Sequence, residues 1–221
     1  MVRVWRVVEF VTAALPTRKP LLLVMFILLS AAMGQGQEAP APAAPETARI
    51  KSFTYAGSGC PPGSAVGSIS EDGEVLTLKF SNFSVSTSST PLRKNCDVAI
   101  NLQYPAGWSY SLASVVLRGY ANLDAGVKGV HKVSNYVQGQ QSTGYFTGYL
   151  EGPYNDNYQH NGDLEPVVFS ECHKVRDINI NTEVRVDNSA NPTGSGILDV
   201  DTKDVLFKFE IQWKLCSEGL R

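Results

Sequence analysis

Aromatic and amide side chains are interleaved with glycines between Gly144 and Asp163. The face of a tyrosine ring can stack on the apolar side of a sugar, while amides and carboxylates hydrogen-bond to its hydroxyls. The segment therefore predicts a ligand-binding loop for a glycan. A simpler alternative stays open, in which the tyrosines fill cross-strand pairs and Asn, Asp and Gly form turns. The candidate ligand-binding residues are Tyr145, Tyr149, Tyr154, Asn155, Asp156, Tyr158 and Asp163.

Two groups of aspartates carry the oxygen ligands that Ca²⁺ prefers. One group is Asp156 with Asp163, and the other is Asp199, Asp201 and Asp204. Neither group has the spacing of an EF-hand, and plain solvent exposure accounts for carboxylates on a strand. The prediction therefore names no metal site and no cofactor, and calcium is kept as the alternative.

The common catalytic motifs are missing from the sequence: it contains no G-x-S-x-G, no H-E-x-x-H and no phosphate-binding G-x-x-x-x-G-K-[ST]. The three histidines, His131, His160 and His173, lie on different segments, and we expect them to be exposed on the surface. A hydrolase would pair one of them with a carboxylate as base and orienting group. A non-enzymatic domain is the preferred prediction, with a secreted hydrolase of polysaccharide or ester as the alternative.

The four cysteines all lie downstream of the first 34 residues. In an oxidising compartment an even number predicts two disulfides, and four cysteines allow three pairings. We predict Cys60 with Cys96 and Cys172 with Cys216, each closing a loop of about 40 residues and adding roughly 4 kcal/mol. A zinc site is disfavoured because there is no C-x-x-C, and adjacent side chains such as Cys172 and His173 point apart in a strand.

The first 34 residues have the layout of an export signal: basic residues, an apolar run over residues 21–29, and then small residues. Residues 1–34 are therefore predicted to be a signal peptide, and residues 35–48 a Pro/Ala linker. Retention of the leader as an anchor is the alternative, although the apolar run is shorter than a membrane span. Cleavage would give a secreted, extracellular protein with no transmembrane segment in its mature form.

The chain has a net charge of −2 at pH 7, and the leader contains four basic residues but one acidic residue. The remaining domain is therefore more acidic than the whole chain, and it contains no run of Lys and Arg. This charge pattern excludes nucleic acid and anionic membranes as expected partners.

Beyond the linker, residues 49–221 show apolar residues at every second position, which is typical of strands with one buried face. Such alternation favours antiparallel sheets. Ten or so short strands predict an all-β, antiparallel β-sandwich with a jelly roll as one candidate topology. The clearest inward-facing series are Cys96, Val98, Ile100, Leu102 and Tyr104; Ile178, Ile180, Val184 and Val186; and Val205, Phe207, Phe209, Ile211, Trp213 and Leu215.

The sequence contains one N-x-[ST] acceptor, Asn82-Phe83-Ser84. A change of apolar parity between Phe80 and Phe83 predicts a bulge or bend beside it. Asn82 is therefore a candidate glycosylation site if the position is exposed.

Several short motifs, in a fixed order, cover nearly the whole domain. They include Gly57-Ser58-Gly59-Cys60-Pro61, Tyr104-Pro105-Ala106-Gly107-Trp108, Ser170-Glu171-Cys172 and Trp213-Lys214-Leu215-Cys216. With these motifs the chain resembles the uncharacterised secreted-protein family called domain of unknown function 4360 (DUF4360). The resemblance implies an exported, cysteine-bearing domain, and the family brings no established activity with it. We expect a secreted domain that binds a glycan or a wall or host protein, with a structural wall or matrix role as a further alternative. No oligomeric state follows from the sequence.

Overall fold

The computed structural model describes residues 43–45, 47–199 and 206–217. The signal peptide predicted over residues 1–34 lies outside the described residues, and so does most of the predicted linker. No helix in the described part of the chain is long and apolar enough to cross a membrane.

The described residues form twelve strands and no helix. In chain order the strands are β1 (Arg49–Ala56), β2 (Ala65–Ile69), β3 (Val75–Phe80), β4 (Ser84–Ser86), β5 (Arg93–Gln103), β6 (Trp108–Leu123), β7 (Lys128–Val137), β8 (Gly144–Glu151), β9 (Tyr154–Asp163), β10 (Asp177–Asp187), β11 (Gly196–Asp199) and β12 (Phe207–Leu215).

The strands form two antiparallel sheets that enclose one apolar core. The five-stranded sheet has the order β1-β5-β10-β7-β8. The seven-stranded sheet has the order β2-β3-β12-β6-β11-β4, and β9 pairs with β6. The predicted antiparallel β-sandwich is confirmed, with more strands than the eight of a simple jelly roll.

The predicted alternation places the expected side chains in the core. Cys96, Val98, Ile100 and Leu102 of β5 are buried, as are the four predicted apolar residues of β10. Phe207, Phe209, Ile211 and Trp213 of β12 are also buried, whereas Val205 lies outside the described residues. Leu215 is an exception: it has the inward parity but is exposed, because it pairs with Trp108 at the very end of the sheet.

The connection between β8 and β9 carries the chain from one sheet to the other. β8 pairs with β7 at the edge of the five-stranded sheet, and β9 pairs with β6 in the seven-stranded sheet. Only Gly152 and Pro153 separate the two strands. After β9, Glu165 exchanges two backbone hydrogen bonds with Tyr145, so the chain returns along the start of β8.

The two predicted disulfides are both formed. Cys60 pairs with Cys96, with Cα atoms 5.5 Å apart, and fixes the loop before β2 to β5. Cys172 pairs with Cys216, with Cα atoms 5.8 Å apart, and joins the segment after β9 to the end of β12. No free cysteine remains.

The end of the predicted linker is packed on the domain. Pro45 is buried, and its carbonyl accepts a hydrogen bond of 3.1 Å from the backbone N–H of Ala48. Ala44 and Ala48 contact the core. Pro45 and the two alanines therefore supply apolar surface beside Gly73 of the β2–β3 turn.

Candidate functional site

The segment predicted to form one binding loop, Gly144–Asp163, is instead a pair of strands in different sheets. The side chains of β8 alternate between the outer surface and the core, whereas on β9 three consecutive residues, Asn155, Asp156 and Asn157, are all exposed. The predicted site residues are therefore divided among three places: the outer face of β8, the core, and the exposed positions of β9.

Tyr145 and Tyr149 lie on the outer face of the five-stranded sheet. Tyr145 is 60% exposed and Tyr149 is 67% exposed. The two residues are four positions apart on β8, so their Cα atoms are about 13 Å apart on the same face. Both remain candidates for contact with a ligand.

Tyr136 is a third exposed tyrosine on this face, and it was not among the predicted site residues. It lies on β7 and is 43% exposed. Tyr145 pairs with Ser134, so Tyr136 is its diagonal neighbour, with Cα atoms about 7–8 Å apart. The parity of β7 was a usable signal, since Tyr136 follows the outward-facing Lys132 by four positions. We call Tyr136, Tyr145 and Tyr149 the tyrosine face.

Amide side chains lie beside the tyrosine face on the neighbouring strand, β10. Asn179 pairs with Tyr136, and Asn181 pairs with Ser134. The amide nitrogen of Asn181 donates to Asp97 of β5, which also accepts a 3.0 Å hydrogen bond from Asn95. These groups place hydrogen-bond donors and acceptors on the same outer face of the sheet as the tyrosine rings.

A shallow depression of about 310 Å³ lies against Tyr149. Two ion pairs border it: Lys128 Nζ lies 3.0 Å from Glu151 Oε1, and Arg185 Nη2 lies 3.4 Å from Asp187 Oδ2. The backbone N–H of Ser189 donates to Asp187, and this hydrogen bond is the main reason that the pKa of Asp187 lies below its usual value.

Tyr158 lies in the core, not on the surface where the sequence predicted a ligand-binding loop. It is 6% exposed, because the parity of β9 directs it into the core. Its ring centroid lies 4.9 Å from that of His131 and 5.4 Å from that of His160. Its hydroxyl donates to the carbonyl of Asp199 at 3.4 Å. Tyr154 is partly buried, and its hydroxyl donates to the carbonyl of Asn157 at 2.9 Å.

The polar candidates of β9 are exposed but separated from the tyrosine face. Asn155 accepts a 2.6 Å hydrogen bond from the hydroxyl of Tyr120 on β6. Asp156 accepts one of 2.7 Å from the backbone of Asn157. Asp163 is exposed at the far end of the strand.

The calcium alternative does not fit the first pair of aspartates. Asp156 and Asp163 are seven residues apart on one strand, which places their Cα atoms on the order of 23 Å apart. They cannot coordinate one ion. Asp199 ends β11, whereas Asp201 and Asp204 lie outside the described residues. No three His, Cys, Asp or Glu side chains within residues 43–45, 47–199 and 206–217 are placed to hold a metal.

The expectation of exposed histidines is wrong for His131. Its ring is completely buried, and burial lowers the pKa of His131 to about 3. His160 is partly buried beside it, at 5.6 Å between ring centroids, and desolvation lowers its pKa as well. His173 is exposed, as expected. His131 follows the inward parity of β7, which overrides the usual preference of histidine for the surface.

Asn82 is exposed in the turn between β3 and β4, with φ of 67°. The parity break predicted at this point corresponds to the turn, after which Phe83 is buried. The position satisfies the exposure that glycosylation requires.

Three comparisons relate this geometry to known proteins. Residues 46–216 match the family model of the domain of unknown function DUF4360. An uncharacterized secreted protein of Arthroderma benhamiae is 33% identical over 183 residues, which is 78% of this chain and 74% of that protein. Together with the two disulfides, this relative identifies the chain as a secreted protein.

Solved structures add only distant similarities. TmCBM61 in complex with β-1,4-galactotriose is 12% identical, with 75% of this chain and 89% of that chain covered and a TM-score of 0.26. The enzymatically active domain of tailspike protein 4 of bacteriophage CBA120 is 11% identical, with 75% and 19% covered and a TM-score of 0.23. Scores this low support no conclusion about fold or ligand.

The match over residues 46–216 covers both sheets and all four cysteines. The chain belongs to the DUF4360 family of domains.

Proposed function

We propose that this secreted domain is a non-enzymatic saccharide-binding module, and that the tyrosine face is its binding surface. The observation that carries the proposal is the display of three exposed tyrosines on one face of one sheet. Several large aromatic side chains exposed on one face of a folded protein are typical of a surface that binds a ligand.

The tyrosine side chains suit stacking on a sugar. None of the three hydroxyl groups makes a hydrogen bond within the described part of the protein. The rings are rigid, with two side-chain torsions each, so little conformational entropy is lost when a ligand immobilises them.

The neighbouring polar groups suit the hydroxyls of a sugar. Asn179 and Asn181 alternate along β10 with inward-facing residues, so both amides are directed outward beside the rings. An amide donates and accepts hydrogen bonds, which matches a hydroxyl group in either role. Asp97 holds the amide of Asn181, which fixes the direction of its carbonyl.

The carboxylates beside Tyr149 favour binding over glycoside hydrolysis. A glycosidase needs one carboxyl group that stays protonated as a general acid. The pKa of Asp187 is lowered instead, and Glu151 is paired with Lys128. We therefore place no catalytic step at the tyrosine face.

The test is a glycan array probed with the oxidised, secreted protein obtained by expression of the full chain. The wild type is expected to bind at least one class of saccharide, and a Tyr145→Ala, Tyr149→Ala double variant to lose about tenfold or more in affinity. Both residues are exposed, so the thermal stability of the variant should match that of the wild type.

Tyr120→Ala is the matched control, because Tyr120 lies on the outer side of the other sheet, where its hydroxyl contacts Asn155. This variant should bind saccharides as the wild type does. Absence of saccharide binding by the wild type would refute the proposal and would favour a protein ligand or a structural role.

A further inference from the structure

The depression beside Tyr149 differs from the rest of the tyrosine face in its charge. Three cationic side chains, Lys128, Lys132 and Arg185, line it together with two carboxylates, Glu151 and Asp187. Its lining therefore has a net charge of +1, although the whole chain has a net charge of −2. A local excess of positive charge in an acidic protein attracts an anionic group.

Lys132 supplies the charge that is not neutralised. Lys128 and Arg185 each have a carboxylate partner, at 3.0 and 3.4 Å. Within the described residues, no carboxylate oxygen lies within 4.0 Å of the Lys132 amino group. Glu183, which pairs with Lys132 in the strand register, is bound at 2.6 Å by Arg93 instead.

The position of Lys132 fits a ligand that stacks on Tyr149. Tyr149 pairs with Val130, and Lys132 is two residues further along β7, so Tyr149 and Lys132 are diagonal neighbours with Cα atoms about 7–8 Å apart. Val130 is partly exposed between them and forms an apolar floor. A sugar ring against Tyr149 would lie over Val130 and bring a substituent of the ring to the Lys132 amino group.

The two existing ion pairs do not close the depression to an anion. Lys128 and Glu151 are both more than half exposed, and Arg185 is half exposed, so water screens both pairs and each contributes little to stability. An anionic ligand can share Lys128 or Arg185 at little cost, and it gains Lys132 without breaking a pair.

We infer that the saccharide bound at Tyr149 is anionic, and that Lys132 recognises its carboxylate or sulfate ester. The inference rests on the proposed function, because it names the chemical class of the ligand at that same surface. It predicts discrimination between charged and neutral forms of one sugar backbone.

The experiment compares three probes by isothermal titration: oligogalacturonate, its fully methyl-esterified form, and a sulfated galactan oligosaccharide. The wild type should bind an anionic probe about tenfold more tightly than the neutral ester, and the difference should shrink when about 0.5 M salt screens the charges. The carboxylate and sulfate probes distinguish the two sources of negative charge.

Lys132→Gln should weaken binding of the anionic probe about fivefold and leave binding of the ester unchanged. Lys79→Gln is the matched control, because it removes an exposed lysine from β3 in the other sheet and should change neither. Tyr149→Ala should weaken binding of the charged and neutral probes alike.

The outcomes separate the two proposals. Equal affinity for the acid and the ester, with both weakened by Tyr149→Ala, would overturn the anionic ligand and leave saccharide binding intact. Binding of neutral array glycans alone would have the same meaning. Failure of every probe and every array glycan would overturn both proposals.

Discussion

β8 and β9 are consecutive strands that each contain two tyrosines, yet these tyrosines have different environments. β8 exposes Tyr145 and Tyr149 on the outer face of the five-stranded sheet, whereas β9 buries Tyr158 against His131 in the core. The residue type is the same, and the difference arises from parity and from the change of sheet between the strands. A tyrosine in a strand can therefore be assigned to a binding surface only when its parity and the sheet that its strand joins are both known.

Acid is expected to lower the free energy of unfolding through the buried side of this comparison. His131 is neutral in the folded protein because burial lowers its pKa to about 3, whereas in the unfolded chain it titrates near 6.5. The contribution of neutral His131 to the free energy of unfolding is therefore fully present above about pH 6.5. As the pH falls toward 3, this contribution is lost, and the free energy of unfolding decreases by about 5 kcal/mol in total. Denaturant unfolding measured between pH 7 and pH 3.5 tests this slope.

Two variants identify the source of the slope. His131→Leu removes the titrating group from the core and should flatten the dependence of the unfolding free energy on pH. His173→Gln removes an exposed histidine and should leave the dependence as it is. A wild-type slope retained in the His131→Leu variant would assign the acid sensitivity to His160 or to carboxylates.

Truncation of tyrosines distinguishes the two strands more directly. Tyr158→Ala should lower the free energy of unfolding by about 3–5 kcal/mol, because it removes a large buried ring and leaves a cavity. Tyr149→Ala should change it by less than about 0.5 kcal/mol, because the ring is exposed. Urea unfolding of both variants tests the comparison, and similar losses would show that Tyr149 also supports the fold.

Much of the fold could be predicted from the sequence because parity is a local property. The alternation of Val98, Ile100 and Leu102, or of Ile178 and Ile180, depends only on the chain being extended. Burial of His131 follows the same parity, and residue type misled the prediction there. The burial predicted for Leu215 was wrong because β12 extends past the residues that would cover its last side chain.

The candidate site was harder to predict because it depends on which sheet each strand joins. The sequence of β9 is rich in Asn, Asp and Gly, which are depleted in strands, and pairing with β6 overrides that preference. The crossing at Gly152 and Pro153 moves β9 to the other sheet, and no local pattern specifies it. Tyr136 belongs to the site because it pairs with Asn179 and is the diagonal neighbour of Tyr145. Both relations depend on the register of the assembled sheet.

The contact between the two strands gives a prediction with a smaller expected effect than that of Tyr158→Ala. An alanine Cβ at Gly148 of β8 would lie 2.9 Å from ring carbons of His160 on β9. In an open, extended position, Gly→Ala would stabilise the strand slightly. At Gly148 the overlap with the His160 ring is expected to make the substitution destabilising instead. Gly148→Ala should lower the free energy of unfolding by about 1–3 kcal/mol.

A double-mutant cycle separates this overlap from a general effect on β8. His160→Ala removes the ring that the new methyl group would meet, so Gly148→Ala should be much less harmful in that background than in the wild type. Thermal and urea unfolding of the four proteins give the coupling free energy. Additive losses would mean that Gly148 is required by the backbone of β8, and that the strand bearing Tyr145 and Tyr149 is positioned independently of the buried histidines.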